Sequence, residues 1–172
     1  MTSTLRNPVT EQDHSTGNPH AEMILVEYGD YQCPHCGIAH PFIKKLLKEF
    51  KGEFRFIFRN FPLQESHPMA MMAALASEAA GKQSKFWEMH DIIFEHQRSL
   101  SPDAILHFAD KLKLNETQFE KDLRNKELLE KVEDDMEGGL RSGVNGTPTF
   151  FLNGKKVNSY DESYDSLAAL FR

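Results

Sequence analysis

Residues 23–36 read Met23-Ile24-Leu25-Val26-Glu27-Tyr28-Gly29-Asp30-Tyr31-Gln32-Cys33-Pro34-His35-Cys36. The apolar run at its start predicts a strand over 23–28. Ile24 and Val26 point one way and Leu25 and Glu27 the other, although a central strand can be apolar on both faces. Downstream, Ile38, Phe42, Ile43, Leu46, Leu47 and Phe50 fall at helical spacing. They predict a helix from Pro34 to about Phe50 with a kink at Pro41. Cys33-Pro34-His35-Cys36 therefore lies where a strand hands over to a helix N-terminus. Backbone N–H groups and the positive end of the helix dipole favour a thiolate there. Pro34 suits the first helical position, where an N–H would find no helical partner. Cys33 and Cys36 are the only cysteines among 172 residues. Free cysteine is often just a small buried hydrophobe, but this position makes a reactive dithiol.

Working outward, a second strand is expected over 54–59. A helical stretch runs from His67 to Ser142, with a helix start at Ser101-Pro102-Asp103 and capping-box spacing from Asn115 to Gln118. Strand character returns at 149–152, and Asn153-Gly154 turns it into a hairpin with 155–157. A last helix is expected over 163–171. Residues 1–20 read as a polar tail, with no structure assigned to the first twelve, and 21–172 as one domain.

The 40% apolar and 27% charged content is that of an ordinary globular chain, and a net charge of −6 argues against nucleic-acid binding. The longest apolar run, 69–76, is far short of the roughly 18 residues that suggest a membrane span. Residues 1–20 lack the pattern of a secretory signal, so a cytoplasmic protein is expected. In that compartment a CxxC pair is catalytic, redox-sensing or metal-binding.

The tetrapeptide after a strand, together with Gly146-Thr147-Pro148-Thr149-Phe150, resembles the DsbA-like branch of the thioredoxin superfamily. Glu27-Tyr28-Gly29-Asp30-Tyr31-Gln32 and 145–151 are similar to that family's wording, and the likeness runs from about Asp13 to the end. The resemblance implies an α/β thioredoxin-like fold, β-α-β then β-β-α, with a helical insertion of about 65–143 between the halves. It implies a protein-disulfide oxidoreductase without metal or organic cofactor, acting on protein or small thiols and disulfides with an unidentified redox partner. Cys33 would attack, Cys36 would resolve the mixed disulfide, and His35 would tune the Cys33 thiolate. Glu27, six residues before Cys33, would relay protons from beneath the site, for which a burial-raised pKa is suited. Pro34, Thr147 and Pro148 would face substrate. A cis bond at Pro148 would let Thr147 offer backbone groups to an extended peptide.

Two other readings stand beside this one. Cys33, Cys36 and His40 fall at i, i+3 and i+7 and would serve a metal-binding or metallochaperone module. Against that, Pro41 distorts the helix there and His40 reads as a helix-surface or interface residue. Glutathione conjugation is a third reading, and a complete CxxC counts against it. Pro34-His35 pulls toward an oxidase and a reducing cytosol toward a reductase.

Overall fold

The computed structural model describes residues 3–172. The strands are β1 (His14–Gly17), β2 (Met23–Gly29), β3 (Phe54–Asn60), β4 (Thr149–Leu152) and β5 (Lys155–Lys156). The helices are α1 (Pro34–Glu49), α2 (Ala70–Gly81), α3 (Phe86–Glu95), α4 (Pro102–Lys111), α5 (Glu116–Asp122), α6 (Lys126–Arg141) and α7 (Tyr164–Ala168). Two compact units result. One comprises residues up to Gly29 with 34–59 and 137–172, the other 30–33 with 60–136. Among the described residues no helix is long and apolar enough to cross a membrane.

The first unit carries a sheet in the order β1-β3-β2-β4-β5. β2 and β4 are antiparallel, with Val26 opposite Phe151, Glu27 opposite Phe150 and Tyr28 opposite Thr149. Leu25 through Gly29 are all buried, so both faces of β2 are covered. α1 runs on through Pro41. Its buried face is Cys36, Ala39, His40, Ile43 and Leu46, close to i, i+3, i+4, i+7. The spacing predicts Ile38 on this face, but it is 43% exposed, because it lies about 140° around the helix from Ile43. His40, which reads as a helix-surface or interface residue, is buried on this same face.

The N-terminal segment departs from the expected tail. β1 pairs antiparallel with β3, His14 opposite Phe58 and Gly17 opposite Arg55. Gly17 has φ +87°, and a Cβ there would meet the Phe54 carbonyl oxygen at 2.5 Å. Upstream, the Leu5 N–H donates to Gly154 O (2.8 Å), and Ser3 O accepts from the Lys156 N–H (2.9 Å). Arg59 supplies the fastening that apolar residues do not. It donates to Asp13 through Nε (2.8 Å) and Nη2 (2.9 Å), to the carbonyls of Asn7 and Pro8, and to the Tyr28 hydroxyl. Burial opposes its charge, but the Asp13 hydrogen bond and the fields of Tyr28 and Asp13 outweigh that, and its pKa lies above the ordinary arginine value. A polar sequence is ordered here by backbone pairing and one buried guanidinium, neither of which has a hydrophobic period.

The second unit is helical. Ser101 Oγ accepts from the Ala104 N–H (3.0 Å) with Pro102 in the first turn, and Asn115 Oδ1 accepts from the Gln118 N–H (2.9 Å). Both caps stand where the sequence predicts them. Met89, Ile93, Ile105 and Phe119 are fully buried. Asn60, at the end of β3, donates to Glu78 (3.1 Å), which also pairs with Lys131 (3.3 Å).

Candidate functional site

The approach to Cys33 is a turn held by side chains of the helical unit. The Cys33 N–H donates to Asp30 O (3.1 Å). The Asp30 carboxylate is 1% exposed and accepts from the backbone N–H groups of Gln32 (2.8 Å) and Leu63 (3.0 Å). His67 Nδ1 lies 2.7 Å from the same carboxylate. Gln32 accepts in turn from the Met69 N–H (2.7 Å). Gln97, in a short 3₁₀ turn after α3, donates to the carbonyls of Tyr31 (3.0 Å) and Cys33 (2.6 Å). Tyr31 is buried between His90, whose Nδ1 is 2.9 Å from its hydroxyl, and Phe94. Four successive residues that lack any helix or strand are thus specified almost atom by atom.

α1 begins at Pro34, and from there the chain belongs to the sheet unit. Cys36 is fully buried, and Cys33 is 4% exposed. Pro34 and His35 are exposed. His35 Nδ1 pairs with the Glu162 carboxylate, which stands just ahead of α7. No sequence pattern marks Glu162: it is 127 residues from His35, and an acid before a helix cap has many ordinary reasons to be there. Glu27 is 3% exposed on β2, where the sequence places it.

Pro148 follows Thr147 through a cis peptide bond. Since Thr149 lies opposite Tyr28, Pro148 stands at the C-terminal end of β2. Thr149 Oγ1 donates to Gly146 O (2.7 Å), closing the turn. A cavity of about 360 Å³ opens beside this turn, lined by Thr147, Pro148, Phe150, Lys156, Asn158 and Tyr160 among others. No motif or spacing in the sequence marks Tyr160. Burial, then the charges of Glu27, Glu162 and Cys36, push its pKa above the ordinary tyrosine value. The sheet unit therefore brings Cys36, Glu27, Thr147 and Pro148 into one region, and adds Tyr160 and Glu162. Cys33, Cys36 and His40 do not form a set of converging metal donors among the described residues.

A thioredoxin family model matches residues 9–170. A Na(+)/H(+) antiporter NhaA 1 of Salinispora arenicola is 42% identical over 146 residues, which cover 85% of this chain and 22% of that protein. The chain thus spans about a fifth of the length of that curated relative. Among solved structures, BdbD from Bacillus subtilis superposes with a TM-score of 0.84 at 25% identity, covering 98% of this chain and 95% of that one. The thiol-disulfide exchange protein alpha-DsbA2 from Wolbachia pipientis gives 0.81 at 22% identity, covering 93% and 86%.

Proposed function

The chain belongs to the thioredoxin family, and on that footing we propose that it is a thiol-disulfide oxidoreductase of the DsbA-like kind, working through Cys33 and Cys36. One observation carries the reading. A CxxC pair opens α1 directly after β2, with a buried acid on that strand and the Thr147–Pro148 turn at the strand's end.

In the reducing direction the Cys33 thiolate attacks a substrate disulfide, forming a mixed disulfide and releasing one substrate thiolate. Cys36 gives its proton to the Glu27 carboxylate and attacks the Cys33 sulfur. A Cys33–Cys36 disulfide forms and the second substrate sulfur leaves as thiolate. The oxidising direction reverses each step. Burial of Cys36 and Glu27 supports their pairing as resolving thiol and base, since a buried carboxylate and a buried thiol both resist ionisation and together share one charge. Exposure of Pro34 and His35 supports their meeting substrate. The cavity beside Thr147 and Pro148 supports backbone pairing with an extended protein segment. We take protein thiols and disulfides as the substrate class, with Pro34-His35 favouring the reduced form of the protein and so the oxidising direction.

The test is the reduction potential of the pair, read by equilibration in graded glutathione buffers, alkylation and mass. A single two-thiol transition lost in both Cys33→Ser and Cys36→Ser is expected. A potential above about −200 mV assigns an oxidant, and one near or below the cytosolic poise of about −220 to −320 mV reverses the direction. No transition at all would sink the reading.

A further inference from the structure

The Tyr160 hydroxyl oxygen is buried yet makes no hydrogen bond. A buried phenol usually finds a partner, because leaving the O–H unmade costs its full desolvation. Its ring stands edge-on to Phe150, centroids 5.0 Å apart at 77°. Phe150 lies directly opposite Glu27 across the β2–β4 ladder, and residues so opposed project from the same face of a sheet. Tyr160 also lines the cavity beside Thr147 and Pro148. The hydroxyl therefore sits behind the substrate-facing turn, on the side of the sheet that holds the buried acid.

We propose that Tyr160 is a positioning residue of the exchange centre, keeping a neutral hydrogen-bond donor in reserve for the negative charge that Glu27 and Cys36 share. The inference rests on the exchange reading above. The groups facing the phenol are Glu27 from β2, Cys36 from α1, Lys156 of β5 along the cavity wall, and Asp161 and Glu162 of its own loop. Glu162 is itself paired with His35. Four of these five are acids, and with burial they hold the phenol in its protonated form, so it donates and does not ionise. During resolution the Cys36 proton passes to Glu27, the Cys36–Cys33 bond forms, the Cys33–substrate bond breaks, and its electron pair leaves on the substrate sulfur. Tyr160 transfers no proton. Its O–H favours the charged state of the Glu27–Cys36 pair over the neutral one, which lowers the pH at which that pair releases its proton.

The experiment uses the full reduced chain and an aromatic disulfide, dithiobis(nitrobenzoate). The first nitrothiolate released reports attack by Cys33, and the second reports resolution by Cys36. In Tyr160→Phe the pH midpoint of the second release is expected to move up by about one unit. Below the midpoint that makes resolution about tenfold slower, with thermal stability and the first release unchanged. Profiles that superpose on the wild type, or a variant slowed equally at every pH, would overturn the inference while leaving the exchange reading intact. Absence of a second release from the wild-type chain would instead overturn the exchange reading itself. Tyr160→Leu separates the ring from the hydroxyl: loss of the Phe150 contact lowers thermal stability, which Tyr160→Phe does not.

Discussion

Cys33 and Cys36 are separated only by Pro34 and His35, yet the segments that hold them are built by different physics. Residues 30–33 have no regular structure and are ordered by side chains of the helical unit: Asp30 to two backbone N–H groups and His67, Gln32 to Met69, Gln97 to two carbonyls. Cys36 is ordered by the helix it lies in and by apolar burial on the α1 face. A hydrogen-bonded turn places an atom accurately but depends on a few groups. A packed helix spreads the same task over many contacts, each small. Cys33 is thus held by a handful of polar atoms, and Cys36 by bulk packing.

That contrast sets an order of effects. Arg59→Ala takes from the buried Asp13 carboxylate its charged partner, and should lower unfolding free energy by about 4 kcal/mol in urea titration. Because it acts on the N-terminal fastening, the surviving folded protein should exchange disulfides at the wild-type rate. Asp30→Ala strips the acceptor from the N–H groups of Gln32 and Leu63, and should cost about 3 kcal/mol. Here the rate of Cys33 alkylation should change as well, in contrast to Arg59→Ala. Equal effects of both variants on stability and on alkylation would break the comparison.

Gln97→Ala sharpens it further. Loss of two bonds from one amide should cost about 1–2 kcal/mol, and change Cys33 alkylation by up to about tenfold. The smallest effect belongs to Tyr164→Phe, which removes a hydrogen bond to Glu49 worth about 0.5–1 kcal/mol. Burial, then the Glu49 bond, raise the Tyr164 pKa to about 12. The folded state favours the neutral phenol. The advantage of tyrosine over phenylalanine is therefore fully present below the ordinary tyrosine value of 10.0 and declines as pH rises through about 12. Parallel urea titrations of the two proteins across that range check it.

Much of this architecture is legible in the chain. The 23–28 strand, the helix from Pro34 and the 149–152 strand follow from periodicity. The starts of α4 and α5 follow from Ser101-Pro102 and Asn115, because a cap is a local interaction within four residues. Burial of Glu27 is readable from an acid inside an apolar run. His40 and Ile38 escape the same reasoning because a helix tolerates one apolar residue off its buried face and one polar residue on it. β1 escapes it since His14-Ser15-Thr16-Gly17 has no apolar alternation and exists by pairing with β3.

Residue types and their local spacing already mark which groups could do the chemistry and which elements would carry them. Dithiol spacing, a proline at the helix start and side-chain periodicity act over a few residues and leave their marks in the chain. The residues that stand around those groups come from distant parts of the chain, brought there by packing. Gln97 stands 64 residues from Cys33 and Glu162 127 from His35. Tyr160 reaches the Glu27 side of the sheet only through the β2–β4 register. Hydrogen bonds of this kind need two groups brought together by the packing of everything between them, and a glutamine, a glutamate or a tyrosine looks the same in the sequence whether or not that happens.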